Sequence, residues 1–170
     1  AGLTEFLHRE MIPLLANTPP RRVIAAWDAG NEYRTGLYPK YKEKRRLHSE
    51  ETPEELQRNS ASLMNETKRF LASLGVKNIW VPGQEADDVI ALLCDRLSKN
   101  RNLLVKTVDA DLLQLVGPNV NVIYGDQLYQ EGAMCTFKAN GTINELPTNL
   151  VRLYKALVGD SSDGYTGVYG

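Results

Sequence analysis

At 170 residues, 42% hydrophobic and 24% charged, the chain has the size and composition of one soluble domain with a real core. A net charge of −1 argues against a uniformly basic nucleic-acid binder, and no apolar run approaches the roughly 20 residues of a membrane span. Cys94 and Cys135 are far apart, and neither His8 nor His48 has a partner at zinc-ligand spacing, which excludes a disulfide scaffold and a Cys–His metal site.

Residues 3 to 16 carry Leu3, Phe6, Leu7, Met11, Leu14 and Leu15 at helical spacing, with Pro13 marking a bend or an early end. Val23 to Trp27 is a continuous apolar run that reads as a buried strand of a parallel sheet. It ends at Asp28, where open α/β sheets place their ligands, although a turn aspartate is an equal reading of that residue alone. From Arg34 to Arg46 there are six Lys/Arg and one Glu, interleaved with Tyr38 and Tyr41. That pattern suits a phosphate backbone and stacked bases; a solvated basic face is the plainer reading. Thr52-Pro53-Glu54-Glu55 has the form of a capped helix start, and Gly75 ends the helix.

A second strand is expected over Val76–Val81, then Glu85-Ala86-Asp87-Asp88 at the start of a helix running to about residue 99. A third strand over Leu103–Val108 ends in Asp109-Ala110-Asp111 and a short helix, and Val120–Tyr124 reads as an edge strand because its apolar residues partly alternate. Residues 125 to 141 carry no motif, with room for a short edge strand near Cys135–Phe137. A last helix from Pro147 to Val158 ends in the turn Gly159 to Gly164, which holds Asp160 and Asp163. Cys94, in an apolar helical run, is expected as a buried thiol, which favours a reducing compartment.

Alternating strands and helices define an α/β class with a mainly parallel sheet. In such a sheet, right-handed crossovers bring the strand ends to one edge. Asp28, Glu85, Asp87, Asp88, Asp109 and Asp111 then meet there, and Asp160 and Asp163 can join them. Any one of these acids is explained as a helix cap or a turn residue. So many carboxylates in one place require cations, and an oxygen-only donor set points to Mg²⁺ or Mn²⁺. Two such ions about 3.5–4 Å apart suit in-line phosphoryl chemistry. Nucleotide-cradle, dinucleotide and nucleophile-elbow motifs are absent from the sequence.

Taken together, five segments resemble the structure-specific 5′-nuclease family: Trp27-Asp28-Ala29-Gly30 with Tyr33-Arg34; Tyr38-Pro39-Lys40-Tyr41-Lys42 with Arg45; Gly83 to Ile90; Asp109 to Val116; and Tyr154 to Asp163. The family comprises the 5′→3′ exonuclease domain of DNA polymerase I-type enzymes, phage 5′-exonucleases and flap endonucleases. The resemblance implies one PIN-like (Rossmann-like) α/β catalytic domain over residues 1–170, with a helical-arch insertion at 33–52. It implies two or more Mg²⁺ or Mn²⁺ ions held by Asp28, Glu85, Asp87, Asp88, Asp109, Asp111, Asp160 and Asp163. Glu85, Asp87 and Asp109 match the inner ligands, and Asp160 and Asp163 the pair serving the second ion. Lys42 and Arg45 match catalytic arch cations on the scissile phosphate, and Tyr41 a base-stacking residue. Arg34, Tyr38, Lys40 and Lys44 complete the implied DNA-binding set.

The family's first strand is expected upstream of Ala1, and its helix-turn-helix module downstream of Gly170, so the chain reads as a segment of a longer protein. Gly164 stands where the family has Asn, and Tyr169 where it has Pro. The expected partner is DNA with 5′ ends or flaps, together with a fused or associated DNA polymerase, and the expected setting is a monomer in bacterial or phage-infected cytoplasm. A PIN-type ribonuclease and a catalytically silent DNA-binding module are the rival readings.

Overall fold

The apolar runs do become strands, but they pair in two separate groups. The computed structural model describes residues 5, 9, 11–17, 22–43, 47, 54–139 and 142–168. Helix α1 (Ile12–Asn17) precedes β1 (Ile24–Ala26), which lies parallel to β2 (Lys77–Ile79) with Ile24 opposite Lys77. β3 (Leu103–Thr107) lies parallel to β4 (Val120–Tyr124), and β5 (Gln127–Tyr129) pairs antiparallel on the other side of β4. Among the described residues no ladder joins β1 to β3, so the parallel sheet expected from the sequence is interrupted there. β4 is an interior strand rather than an edge. Its alternation, with Val120 and Val122 buried, reflects one face packed on the core.

Helix α2 (Glu32–Leu37) follows β1 and is not visible in the sequence pattern, because Thr35 and Gly36 are weak helix formers. Helix α3 (Glu54–Ser73) ends at Gly75, as its sequence predicts; Thr52 and Pro53 of the expected cap lie outside the described residues. Helix α4 (Ala86–Leu97) starts at the acidic stretch and buries Val89 and Cys94. A 3₁₀ turn over Ala110–Leu115 follows β3. β6 (Met134–Ala139) and β7 (Thr142–Pro147) form a hairpin where the sequence offered at most one short strand. Helix α5 (Val151–Val158) then leads into a two-residue pairing of β8 (Gly159–Asp160) with β9 (Tyr165–Thr166). Among the described residues no helix is long and apolar enough to cross a membrane.

Each strand group has its own core. The larger contains Cys94, Leu112, Leu113, Val122, Cys135 and Val151, all at most 6% exposed. Full burial of Leu113 or Val122 is worth about 1.5–3 kcal/mol each, which fixes the 3₁₀ turn against β4 and so fixes Asp109 and Asp111 at its mouth. The smaller core contains Met11, Leu71 and Val76, with Val23, Trp27 and Phe70 packed on it. Helix α4 touches both β1 and the 3₁₀ turn, so its acidic N-terminus stands between the two groups.

Candidate metal centre and nucleic-acid interface

The acids are delivered by four separate chain segments. Asp28 follows β1, and its Oδ1 accepts from the backbone N–H of Ala86 at 2.7 Å, at the start of α4. Asp88 Oδ2 accepts from the N–H of Glu85 at 3.3 Å. The stretch therefore caps its helix and contributes to the acidic rim at once, and the two readings of it are compatible. Asp109 Oδ1 accepts from Asp111 N–H at 2.8 Å and holds the 3₁₀ turn closed. Asp160 Oδ1 accepts from Ser162 N–H at 2.8 Å and from the Ser162 hydroxyl at 2.6 Å, which leaves Oδ2 facing elsewhere. This last turn depends on Gly159 at φ +84°, where a Cβ would collide with the backbone of Gly167 and Tyr165.

A cleft of about 620 Å³ is lined by Asp87, Asp88, Asp109, Asp111, Asp160 and Asp163, with Arg34, Lys42 and Lys155 on its walls. Carboxylate oxygens of Asp111, Asp160 and Asp163 lie within 4.8 Å of one another. Asp28 and Glu85 do not line this cleft. Glu85 is 7% exposed beneath Tyr41, Lys42 and Arg34, while Asp28 is exposed and bonded to the first residue of α4.

Glu85 is surrounded by donors. The Tyr41 hydroxyl donates to Oε2 at 2.7 Å, and Lys42 Nζ donates to both oxygens at 2.9 Å. Arg34 lies 3.1 Å from the same carboxylate and donates to Asp88 at 2.8 Å and to the Tyr41 hydroxyl at 2.6 Å. The Arg34 and Lys42 cations also stand over the Tyr41 ring, at 5.4 and 5.0 Å from its centroid. Lys42 takes φ +49°, uncommon for a non-glycine residue, and its N–H donates to the Asp163 carbonyl at 3.0 Å. Tyr38 stacks on Tyr165 at 5.1 Å and donates to the Gly164 carbonyl at 3.0 Å. A Cβ at residue 164 would stand 2.9 Å from the Lys40 carbonyl, so Gly164 in place of the family's Asn lets the segment 38–42 seat closely on the last acidic turn.

This arrangement differs from the sequence reading at Tyr41. Its ring is fully buried (0% exposed), because Glu85, Arg34, Lys42 and Tyr165 enclose it, and it is not presented to a base. Tyr38 is half-buried in its stack, and Lys40 is exposed. Lys44 and Arg45 lie outside the described residues. Sequence reasoning missed Lys155, whose Nζ lies 2.7 Å from Asp111 and 2.6 Å from Asp160. Its only signal is its place five residues before Asp160, which means little until the Gly159 turn is known.

The electrostatics divide the rim in two. Burial, then the nearby Asp109, push the Asp87 carboxyl up to about 6, with Asp28 and Glu85 adding to the rise against an opposing pull from Arg34. Burial alone would raise Asp160 too, but Lys155 and Ser162 outweigh it and lower that carboxyl to about 2. Burial also works against the Lys42 and Lys155 ammonium groups. Contacts with Tyr41 and Glu85 hold Lys42 above the ordinary lysine range, and contacts with Asp111 and Asp160 do so for Lys155. Asp87 and Asp109 thus repel each other with no ion pair of their own among the described residues, while Glu85, Asp88, Asp111 and Asp160 are paired with Arg34, Lys42 or Lys155. Oxygen-only donors, uncompensated charge and a cleft open to solvent fit a hard divalent cation.

The fold and rim define an α/β domain whose strand ends carry a carboxylate cluster fit for divalent cations and flanked by arginine and lysine. A sequence profile described as "5′-3′ exonuclease, N-terminal resolvase-like domain" matches residues 3–144, and the chain belongs to that family. It is 35% identical to the 5′-3′ exonuclease of Bacillus subtilis (strain 168), over 99% of this chain and 54% of that protein. It is 34% identical to DNA polymerase I of Mycobacterium tuberculosis (strain ATCC 25618 / H37Rv), over 94% of this chain and 17% of that one. The chain therefore spans about half the length of the first relative and a sixth of the second. In fold it is similar to the phage T5 protein co-crystallised with metal ions, with a TM-score of 0.74 and 18% identity over 99% of this chain and 63% of that one. The T5 5′-exonuclease with bound divalent zinc gives 0.72 at 18% identity, over 99% of this chain and 62% of that one. The PIN-like α/β architecture expected from the sequence is the one found.

Proposed function

We propose that this chain is the catalytic part of a Mg²⁺- or Mn²⁺-dependent 5′→3′ exonuclease and 5′-flap endonuclease that hydrolyses DNA phosphodiesters in replication or repair. The observation that carries this reading is the cleft that sets Asp87, Asp109, Asp111, Asp160 and Asp163 beside Arg34 and Lys42. Asp87 and Asp109 would hold one ion, with Asp28 adjoining, and Asp111, Asp160 and Asp163 a second. Such ions supply Lewis-acid polarisation of a phosphoryl oxygen and neutralise charge on the leaving oxygen. The chain's own residues orient the polyanion. Arg34 and Lys42 present fixed positive charge at the cleft wall, Lys40 adds an exposed one, and Lys44 and Arg45 extend the basic segment in sequence. Glu85 anchors Arg34 and Lys42 rather than acting as the inner ligand that the family resemblance implies, and Asp88 anchors Arg34.

The substrate is DNA with free 5′ ends or flaps, and the relatives support a DNA polymerase fused to or working beside this domain. The setting is the cytoplasm of a bacterium or phage-infected cell, and the working unit is a monomer. The test is a side-by-side cleavage assay of the full-length protein on 5′-flap DNA and on single-stranded RNA, with Mg²⁺, with Mn²⁺ and with a chelator. Flap DNA should be cut only when a divalent ion is present, and substrate binding should weaken steeply with salt through the basic segment. Preferential RNA cleavage would favour a PIN-type ribonuclease. DNA binding without cleavage in any ion would favour a silent binding module.

A further inference from the structure

Three carboxylates within 4.8 Å of one another cannot all stay ionised without a positive charge between them. In the Asp111–Asp160–Asp163 pocket that charge is already supplied by the chain. Lys155, on the last turn of α5, places Nζ 2.7 Å from Asp111 Oδ1 and 2.6 Å from Asp160 Oδ2. Its side chain is 29% exposed. The pocket does not depend on Lys155 for its shape, because Ser162 grips the other oxygen of Asp160 through its N–H and its hydroxyl. Lys42 reaches the edge of the same pocket but stands 4.0 Å from Asp163.

We propose that Lys155 is the resident cation of this pocket, a positioning residue that a divalent ion must displace in order to bind there. The inference rests on the two-ion reading of the cleft and goes beyond it, by naming what sets the affinity of the second site. An ammonium between Asp111 and Asp160 stands where an ion bridging them would lie, and the two positive charges repel at that distance. Exit is open to Lys155, since its flexible four-carbon stem ends in a part-exposed head on the cleft wall. The Asp87–Asp109 side of the cleft has no such occupant among the described residues, so an ion entering there displaces nothing. Two classes of metal affinity follow, and only the weaker one answers to Lys155.

Calorimetric titration of the full-length protein with Mn²⁺, in the absence of DNA, tests this. Lys155→Met should tighten the weaker class by about tenfold, an ordinary size for coupling between two binding events, and leave the tighter class unchanged. Lys155→Arg should restore weak binding. A lysine that merely props up the pocket would give the opposite sign, with Lys155→Met weakening Mn²⁺ binding, and that result or an unchanged affinity overturns the proposal. The wild-type protein gives a reading that does not depend on any variant folding. Mn²⁺ should speed acylation of Lys155, followed by peptide mass spectrometry, as the ammonium leaves its carboxylates; an unchanged or slower rate also overturns it. If the wild-type protein binds no Mn²⁺ at all, the two-ion reading falls as well, which separates the two failures.

Discussion

Asp87→Asn should make the metal-free protein more stable and the metal-loaded protein nearly inert. The Asp87 carboxyl is raised to about 6 from an ordinary 3.8. Between those two values the folded chain keeps a proton that the unfolded chain has lost. Stability contributed by this group therefore falls as pH rises through that window, and the full penalty is present above about 6. Asparagine removes the penalty. Undiscounted, the linkage would be worth about 3 kcal/mol. Asp87 is half-open to solvent, so screening reduces the expected gain to about 1 kcal/mol. For a chain of this length that is a rise of about 2–4 °C in Tm, visible by calorimetry in chelator at neutral pH and absent well below the ordinary carboxylate value. Activity should move the other way. Losing an ion's Lewis acidity costs several kcal/mol of transition-state stabilisation, on the order of a 10²–10³-fold drop in flap cleavage. A variant that is both unchanged in Tm and fully active would remove Asp87 from the cation site.

Tyr41→Ala should cost stability first and DNA binding only as a consequence. The ring is fully enclosed, and its hydroxyl links Arg34 to Glu85. Deleting a buried aromatic side chain costs about 3–5 kcal/mol through lost burial and the cavity left behind. Tyr41→Phe keeps the ring and removes the hydroxyl, for about 1–3 kcal/mol, because Glu85 then loses a donor in a desolvated place. Denaturant unfolding of both variants, alongside single-strand DNA binding, separates this role from base stacking. A stacking tyrosine would leave stability nearly untouched and weaken single-strand binding by about 1–3 kcal/mol for either a free or a preformed site. A stable Tyr41→Ala protein with weakened DNA binding would mean that the ring leaves its pocket to meet a base.

Much of this site was legible before any coordinates, for a definite reason. An apolar run that stops at an acid is a local pattern, and β1 with Asp28 and β3 with Asp109 and Asp111 behave as local patterns do. The handedness of parallel crossovers, which needs no side-chain detail, predicts that such acids gather at one edge. Asp109 and Asp111 do line the cleft, while Asp28, on a strand that no ladder joins to β3 among the described residues, stands off it. The illegible parts are those decided by distant neighbours. Tyr41 lies in a basic stretch that reads as solvent-facing, and its burial is set by Glu85 and Tyr165, which belong to other segments. β4 reads as an edge because nothing in its own alternation announces that the chain turns at Gly125 and pairs back as β5. The separation of Glu85 from the cleft is likewise invisible, since it depends on which carboxylate of the triplet Lys42 and Arg34 reach.

The two strand groups with their separate cores give the carboxylate rim a mechanical meaning. Asp28 follows β1 of the smaller group, and Asp109, Asp111, Asp160 and Asp163 belong to the larger, while the stretch Glu85–Asp88 opens α4, which touches β1 and sends Cys94 into the larger core. A cation held by Asp87 and Asp109 with Asp28 adjoining would add a tie between the two groups beside α4, where among the described residues no backbone ladder joins β1 to β3. Its free energy of binding would then count as cohesion of the whole domain, growing by about 1.4 kcal/mol for each tenfold excess of free ion over Kd. Catalytic readiness and mechanical integrity would rise and fall together with the supply of the same ion.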